Sequence, residues 1–125
     1  MTELELLEDT IAYYSVNPSE RRCIDIVCHY SPKTANKPTS EGCAIGRHLS
    51  NDVKKKFDGV GGNVYFVKYT DSNVFSLAPK WMQEMNIRFL SAIQSLHDAG
   101  YYWCEDGLSE KGKAYVEQIK EKFGL

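Results

Sequence analysis

Four segments of the 125-residue chain carry apolar side chains at helical spacing, and proline or glycine residues mark their limits. Pro18 follows the first segment, Pro79 begins the third, and glycines end the last two. Thr2 and Glu5 add a capping-box pattern at the start of the first segment. The pattern predicts helices over residues 2–16, 42–57, 79–98 and 109–123. The second of these is predicted either as one helix or as a shorter helix followed by irregular structure.

Between the helices, several segments are rich in β-branched and aromatic residues. NVYFVKYT at 63–70 predicts a central strand, and DSNVFSLA at 71–78 predicts a strand that returns beside it. Residues 22–30 and 101–104 are predicted to be short and extended. The sequence therefore favours an α+β fold, with about four helices packed around a small, mainly antiparallel sheet of two to four strands.

Composition and charge narrow the classes of partner. Hydrophobic residues make up 42% and charged residues 26% of the chain, which predicts one compact domain over residues 1–125. The formal charge of -2 disfavours a nucleic-acid partner, because such proteins usually carry a basic surface. No apolar run approaches the roughly 20 residues that span a bilayer, so no membrane partner is expected. The acidic start lacks the features of a secretory signal, which predicts a cytoplasmic protein.

The segment EGCAIGRH at residues 41–48 concentrates small residues at a predicted helix start. Small side chains let a helix start lie close to a strand, and a free cysteine behaves there as a small hydrophobe. Backbone donors at a helix start beside cationic side chains also suit an anion. We therefore predict close packing together with a ligand-binding surface made of Gly42, Cys43, Arg47, His48 and Lys55.

Cys43 could instead be a nucleophile, because a helix start stabilises a thiolate. His48 is a poor base for it within one helix, since five residues turn the helix to about 140° from the starting face. His97, with Asp98 to orient it, reaches Cys43 only if the fold brings the two together. A cysteine-dependent hydrolase that uses Cys43, His97 and Asp98 is one alternative, although the sequence favours a protein that is not an enzyme.

Two further alternatives rest on weaker patterns. Cys23, Cys28 and Cys43 are soft metal ligands, but their spacing lacks the paired C-x2-C of a strong zinc signature, so no metal and no cofactor is the favoured expectation. GLSEKGKAYVEQI at 107–119 is reminiscent of the segment that leads into the last helix of winged-helix regulators. A winged-helix-like DNA-binding protein is therefore an alternative, which the acidity and the lack of an arginine-rich helix disfavour.

Three short motifs occur in an order that suggests a family. They are C-x-Y at residues 28–30, GCAIG at 42–46, and a helix that carries Gln94, His97 and Asp98. In this order the chain resembles small, mostly uncharacterised phage and prophage-associated proteins with a "C-x-Y … CAIG … Q-x-x-HD" pattern, over roughly residues 10 to 98. The resemblance implies a cluster formed by Cys28, Tyr30, Cys43, Gly46, His97 and Asp98.

We therefore expect a non-enzymatic accessory or binding protein of phage or prophage type. The phage setting, together with the cations at residues 41–48, favours a small anionic, nucleotide-like ligand or a host protein as the partner. The oligomeric state stays open between a monomer and a homo-oligomer.

Overall fold

The computed structural model describes residues 1–24, 29–32 and 40–125. Within these ranges eight α-helices account for most of the regular structure, so the fold is α+β but helix-dominated, and the predicted count of four helices is too low. The helices are α1 Glu3–Tyr14, α2 Pro18–Arg21, α3 Asn51–Val60, α4 Val64–Thr70, α5 Ser72–Phe75, α6 Lys80–Glu84, α7 Ile87–Asp98 and α8 Glu110–Phe123.

The sheet of the described ranges is one short hairpin. β1 Trp103–Cys104 pairs antiparallel with β2 Gly107–Leu108, and Trp103 lies opposite Leu108. A single 3-10 turn, Gly100–Tyr102, leads into β1, so the predicted extended segment at 101–104 is half turn and half strand. The predicted strand at 22–30 falls partly on residues that lie outside the described ranges.

The predicted strands at 63–70 and 71–78 are wrong, because both segments are helical. Asn63 caps α4 by accepting a hydrogen bond from the backbone N–H of Phe66 at 2.9 Å. Val64 and Val67 are buried, whereas the residues between them are exposed. A helix places two residues that are three positions apart on the same face, so it can bury both valines. This burial, together with the cap, outweighs the strand preference of β-branched and aromatic residues.

Two of the predicted helices are interrupted. Residues 42–45 form a turn, a 3-10 turn follows over Gly46–His48, and α3 begins only at Asn51 after its cap Ser50. The predicted helix 79–98 divides into α6 and α7, because the Asn86 side chain accepts a hydrogen bond from the Arg88 N–H and starts a new helix.

Helix α7 is the centre of the packing. It contacts α1, α4 and α8, and its buried face contributes Phe89, Leu90, Ile93 and Leu96 to the hydrophobic core. None of the described helices is long and apolar enough to cross a bilayer. The position of α7 matters for the site, since the GCAIG turn lies near one of its faces and an open groove runs along another.

Candidate functional site

The turn formed by residues 42–46, called the GCAIG turn below, is buried in the core. Cys43, Ala44 and Ile45 have no exposed surface. The Tyr14 hydroxyl donates a hydrogen bond to the Gly42 carbonyl at 2.5 Å, and the Gly46 N–H donates to Cys43 Sγ at 3.3 Å. These contacts bind the turn to α1 and leave the Cys43 thiol without access to solvent.

Both glycines of this turn lie against the backbone of Tyr30. Gly42 has a φ of 117°, which few L-residues adopt. A Cβ atom on Gly46 would lie 2.7 Å from the Tyr30 Cα atom, well inside van der Waals contact. Small residues are therefore required for close approach here. The expected contact with Cys28 lies outside the described residues.

Gln94 connects this turn to α4. Its side-chain oxygen accepts a hydrogen bond from the Val64 N–H at 2.7 Å, and its Nε2 donates to the Tyr30 hydroxyl at 3.1 Å. Nε2 also lies 4.0 Å from Cys43 Sγ. The Tyr30 hydroxyl in turn donates to the Gly62 carbonyl at 2.9 Å. Gln94 is almost fully buried, so each of these polar groups relies on its protein partner.

His97 is fully buried and both of its ring nitrogens are occupied. The Cys23 N–H donates to Nε2 at 3.0 Å, and Nδ1 lies 2.6 Å from Asp98 Oδ1. Because Nε2 accepts, the proton belongs on Nδ1, which donates to Asp98. Burial lowers the pKa of His97, in keeping with a neutral ring. Arg22 donates to the carbonyl oxygens of His97 and Asp98 at 2.6 and 2.7 Å.

The structure thus brings much of the expected cluster into one network. Tyr14 links its two halves, because its ring lies 4.8 Å from the His97 ring and its hydroxyl reaches the GCAIG turn. Asp98 orients His97, as the hydrolase alternative requires. However, His97 Nε2 is engaged by the Cys23 backbone and has no lone pair left to accept a proton from Cys43.

Among the described residues, the cysteines of the metal alternative do not form a set of metal ligands. Cys23 and Cys43 are both fully buried. Burial raises the pKa of the Cys23 thiol to about 12, so the thiol is protonated at neutral pH. Among the residues that the structure describes, no group of three or more His, Cys, Asp or Glu side chains could hold a metal ion. Cys28 lies outside those residues.

The cations of the predicted anion surface are largely engaged. The Arg47 guanidinium forms ion pairs with Asp9 and Glu41 and lies 4.0 Å from the centre of the Tyr13 ring. Burial, followed by the nearby Arg47 charge, lowers the pKa of His48 to about 4, so this ring is neutral near pH 7. Gly42 and Cys43 are buried, and Lys55 is exposed on α3.

An open groove of about 430 Å³, which the sequence did not indicate, runs between α4, α7 and α8. One face of α7 forms the floor of the groove. Its residues there follow helical spacing and are mostly small and polar: Arg88, Ser91, Ala92 and Ser95. The α4–α7–α8 groove is lined by Asn63, Tyr65, Arg88, Ser91, Ala92, Ser95, Tyr115 and Lys122. The helical spacing of polar residues on α7 is the sequence feature that could have indicated this groove. The same spacing is found on any ordinary exposed helix face, so it did not identify a site.

The two ends of this groove differ in chemistry. The Phe89 ring contacts the Phe123 ring at 5.3 Å, and the Tyr115 side chain lies beside Ser95, so α7 and α8 run antiparallel. Arg88 and Lys122 therefore share one end. Ser95 and Tyr115 share the other end, about 10 Å away by the rise of seven helical residues.

The groove has a positive and neutral lining. Among the described residues no carboxylate lines it, and neither Arg88 nor Lys122 forms an ion pair. Burial raises the pKa of Tyr115, so its hydroxyl stays a neutral hydrogen-bond donor. The Ser91 hydroxyl is buried without a hydrogen-bond partner in the described part of the chain. The two cations can contact an anion, and the hydroxyl groups of Ser95 and Tyr115 can hydrogen-bond a polar ligand.

A second concavity of about 370 Å³ has the opposite character. His29, Asp58, Gln94 and Asp98 are among its lining residues. The two carboxylates disfavour an anion there. Asp58 also has a structural role, because it accepts hydrogen bonds from the backbone N–H groups of Tyr30 and Ser31 at 2.8 and 3.0 Å.

Two places on the molecule thus stand out from the described geometry. The GCAIG turn and its partners form a buried polar network, and the α4–α7–α8 groove presents unpaired cations to solvent. Comparison of the chain with protein-family models, with curated proteins and with solved structures finds no match.

Proposed function

We propose that this chain is a non-enzymatic accessory protein of phage or prophage type that binds a small anionic ligand in the α4–α7–α8 groove. The observation that carries the proposal is the position of Arg88 and Lys122, two unpaired cations of the described residues at one end of a groove that no described carboxylate lines. The phage setting comes from the order of the sequence motifs.

The charges favour this groove over the predicted surface at residues 42–48. An anion at Arg47 would have to displace Asp9 and Glu41, and it would gain nothing from a neutral His48. An anion at Arg88 and Lys122 displaces no described carboxylate, and the other described contact of the Lys122 ammonium is the Phe123 ring, whose centre lies 5.6 Å from Nζ. Exposed ion pairs contribute little, so the gain depends on both cations acting on one ligand.

The ligand has a second recognisable property. Tyr65 and Tyr115 offer ring surface, and hydroxyl groups lie about 10 Å from the cationic end. A ligand that carries a phosphate at one end and a flat polar group at the other matches this order of groups. Nucleoside monophosphates have that chemistry, so they are the first ligands to test.

The test measures binding of inorganic phosphate and of nucleoside monophosphates by isothermal titration calorimetry, for the natural chain and for Arg88→Gln and Lys122→Gln. Each variant is expected to weaken binding of the monophosphate about tenfold, as for the loss of one charge-assisted hydrogen bond. Lys80→Gln is the matched control, because Lys80 is an exposed lysine that lies outside the groove.

The same titration compares the groove with the surface predicted from the sequence. Arg47→Ala and Lys55→Ala are expected to leave the affinity for the monophosphate unchanged. If these two variants weaken binding and the groove variants do not, the ligand occupies residues 42–55 instead. If neither phosphate nor any monophosphate binds, the small-anion proposal is wrong and a host protein becomes the partner to seek.

A further inference from the structure

We infer that the α4–α7–α8 groove is the middle of a longer track that binds single-stranded nucleic acid. This inference rests on the proposed function, because it assigns the anionic ligand of the same groove to a polymer. Its basis is a row of tyrosine side chains that continues from both walls of the groove onto the surface.

On the α4 side, the row runs from Tyr65 to Tyr69. The two rings lie 4.7 Å apart, one helical turn from each other. Tyr65 is 45% exposed and Tyr69 is 64% exposed, which is unusual for side chains of this size. Lys68 places its Nζ atom 5.6 Å from the centre of the Tyr69 ring.

On the α8 side, the row runs from Tyr115 through Tyr102 to Tyr101. Successive ring centres lie 4.6 and 4.7 Å apart. Tyr101, the outer member, is 64% exposed, and the Lys111 Nζ atom lies 5.7 Å from its centre. The two outer tyrosines of the row, Tyr69 and Tyr101, therefore each have a lysine beside them.

Proteins bind single-stranded nucleic acid through two kinds of side chain, aromatic rings and cations. Bases stack on aromatic rings whatever their identity, and cations along the path contact the phosphates. Here the described cations beside the row are Lys68, Lys111 and the Arg88–Lys122 pair of the groove. The net charge of -2 is compatible with this surface, because no described carboxylate lines the groove at its middle.

The arrangement fits a single strand better than an acidic peptide. A protein partner is usually held by anchors that fill one central pocket. The tyrosines here form an extended row on two sides of a shallow groove, which gives successive stacking positions but no deep pocket. An acidic peptide is therefore the competitor that the experiment has to exclude.

The experiment uses the whole chain and 5′-fluorescein-labelled oligothymidylates of increasing length, with thymidine monophosphate as the shortest ligand and fluorescence anisotropy or competition as the readout. The affinity is expected to rise with length until the row is covered, and to fall steeply with added salt. Poly-glutamate competes as the acidic-peptide probe and is expected to bind more weakly.

Two variants test the ends of the row. Tyr69→Ala and Tyr101→Ala are each expected to weaken the binding of long oligothymidylates about tenfold and to leave thymidine monophosphate unaffected, because their rings lie outside the groove. Tyr101→Phe keeps the ring and is expected to retain the affinity. Phe66→Ala is the matched control, since Phe66 is an exposed aromatic side chain on α4 outside the row.

The outcomes separate the two proposals. If the monophosphate binds through Arg88 and Lys122 but longer strands bind no more tightly, the groove stands and the track is wrong. If the Tyr69 and Tyr101 variants bind like the natural chain, or if poly-glutamate binds as tightly as the oligothymidylates, the track is also wrong. If neither the monophosphate nor any strand binds, both proposals fail.

Discussion

The GCAIG turn and the α4–α7–α8 groove differ in how their polar groups are satisfied. Around the turn, Tyr14, Gln94 and His97 direct their polar atoms at backbone or side-chain partners inside the protein. In the groove, Arg88 and Lys122 are exposed, and the described residues give neither an ion-pair partner. The residues that are most conspicuous in the sequence therefore hold the fold together, while ordinary surface residues form the proposed binding site.

This comparison has a physical basis. A buried polar group without a partner costs about 1 to 3 kcal/mol, so a buried network is complete before any ligand arrives. An exposed cation is solvated by water and can exchange that water for an anion at little cost. Changes at the turn should therefore affect stability, whereas changes in the groove should affect binding.

The largest expected effect is that of Gly46→Ala. Its new Cβ atom would meet the Tyr30 backbone, which cannot move without disturbing the buried network. The free energy of unfolding is expected to fall by about 3 kcal/mol or more, measured by urea denaturation. Gly59→Ala is the control, because nothing lies within 4 Å of its Cβ position, and it should be neutral or stabilising by up to about 1 kcal/mol. Equal effects of the two variants would contradict the close packing.

Gln94→Leu comes next. The leucine keeps most of the volume but removes the acceptor of the buried Val64 N–H, so a loss of about 2 kcal/mol is expected in the same denaturation experiment. Gln118→Leu, at an exposed position of α8, should change stability by less than about 0.5 kcal/mol. A stable Gln94→Leu variant would show that water can replace the Gln94 side chain.

The thiol of Cys43 provides a kinetic comparison within one molecule. Because Cys43 is fully buried and Cys104 is exposed, Cys43 is expected to react with iodoacetamide at least about tenfold more slowly than Cys104. Peptide mass spectrometry after timed quenching reads each cysteine separately. Faster reaction of Cys43 would instead favour the hydrolase alternative with His97.

A smaller effect is expected from the titration of His48. The unfolded chain takes up its proton near pH 6.5, whereas the folded chain does so only at about 4. The unfolded state therefore binds more protons between these values, and the contribution of His48 to stability, complete above pH 6.5, is lost as the pH falls toward 4. His48→Gln should reduce this slope in unfolding experiments run across the interval. An unchanged slope in His48→Gln would mean that other groups titrate there.

The smallest expected effect on stability is that of the groove variants. Arg88→Gln and Lys122→Gln should each change the free energy of unfolding by less than about 0.5 kcal/mol, because they remove no described ion pair. The same proteins should lose about tenfold in affinity for a nucleoside monophosphate. A variant that loses both stability and binding would show that the groove cations are structural, as the turn residues are.

Local interactions were readable from the sequence. The capping box of α1 is present, with hydrogen bonds of 3.1 Å in both directions between Thr2 and Glu5. The cap of α8 is also present, since Ser109 accepts a hydrogen bond from the Gly112 N–H at 3.1 Å. Both pairs lie three residues apart, so their geometry is set by the helix start itself.

The wrong predictions concern segments whose structure depends on contacts with residues that are distant in the chain. Residues 63–70 have the composition of a strand, but α4 forms because Asn63 caps it and Val64 and Val67 bury against α7. The sequence could not show which side chains would be covered, because β preference depends on the neighbours that pack on each face. The groove could not be predicted for the same reason, because it is formed only where α4, α7 and α8 pack together.

The sequence by itself determined the helix starts with strong caps and the need for small residues at 42–46. Those two properties follow from local backbone geometry. Tertiary structure alone decided that Arg47 is paired, that His97 is occupied on both nitrogens, and that Arg88 and Lys122 share one end of a groove. The reason is that charge pairing and solvent access depend on which distant segments meet, and apolar burial rather than local spacing governs that choice.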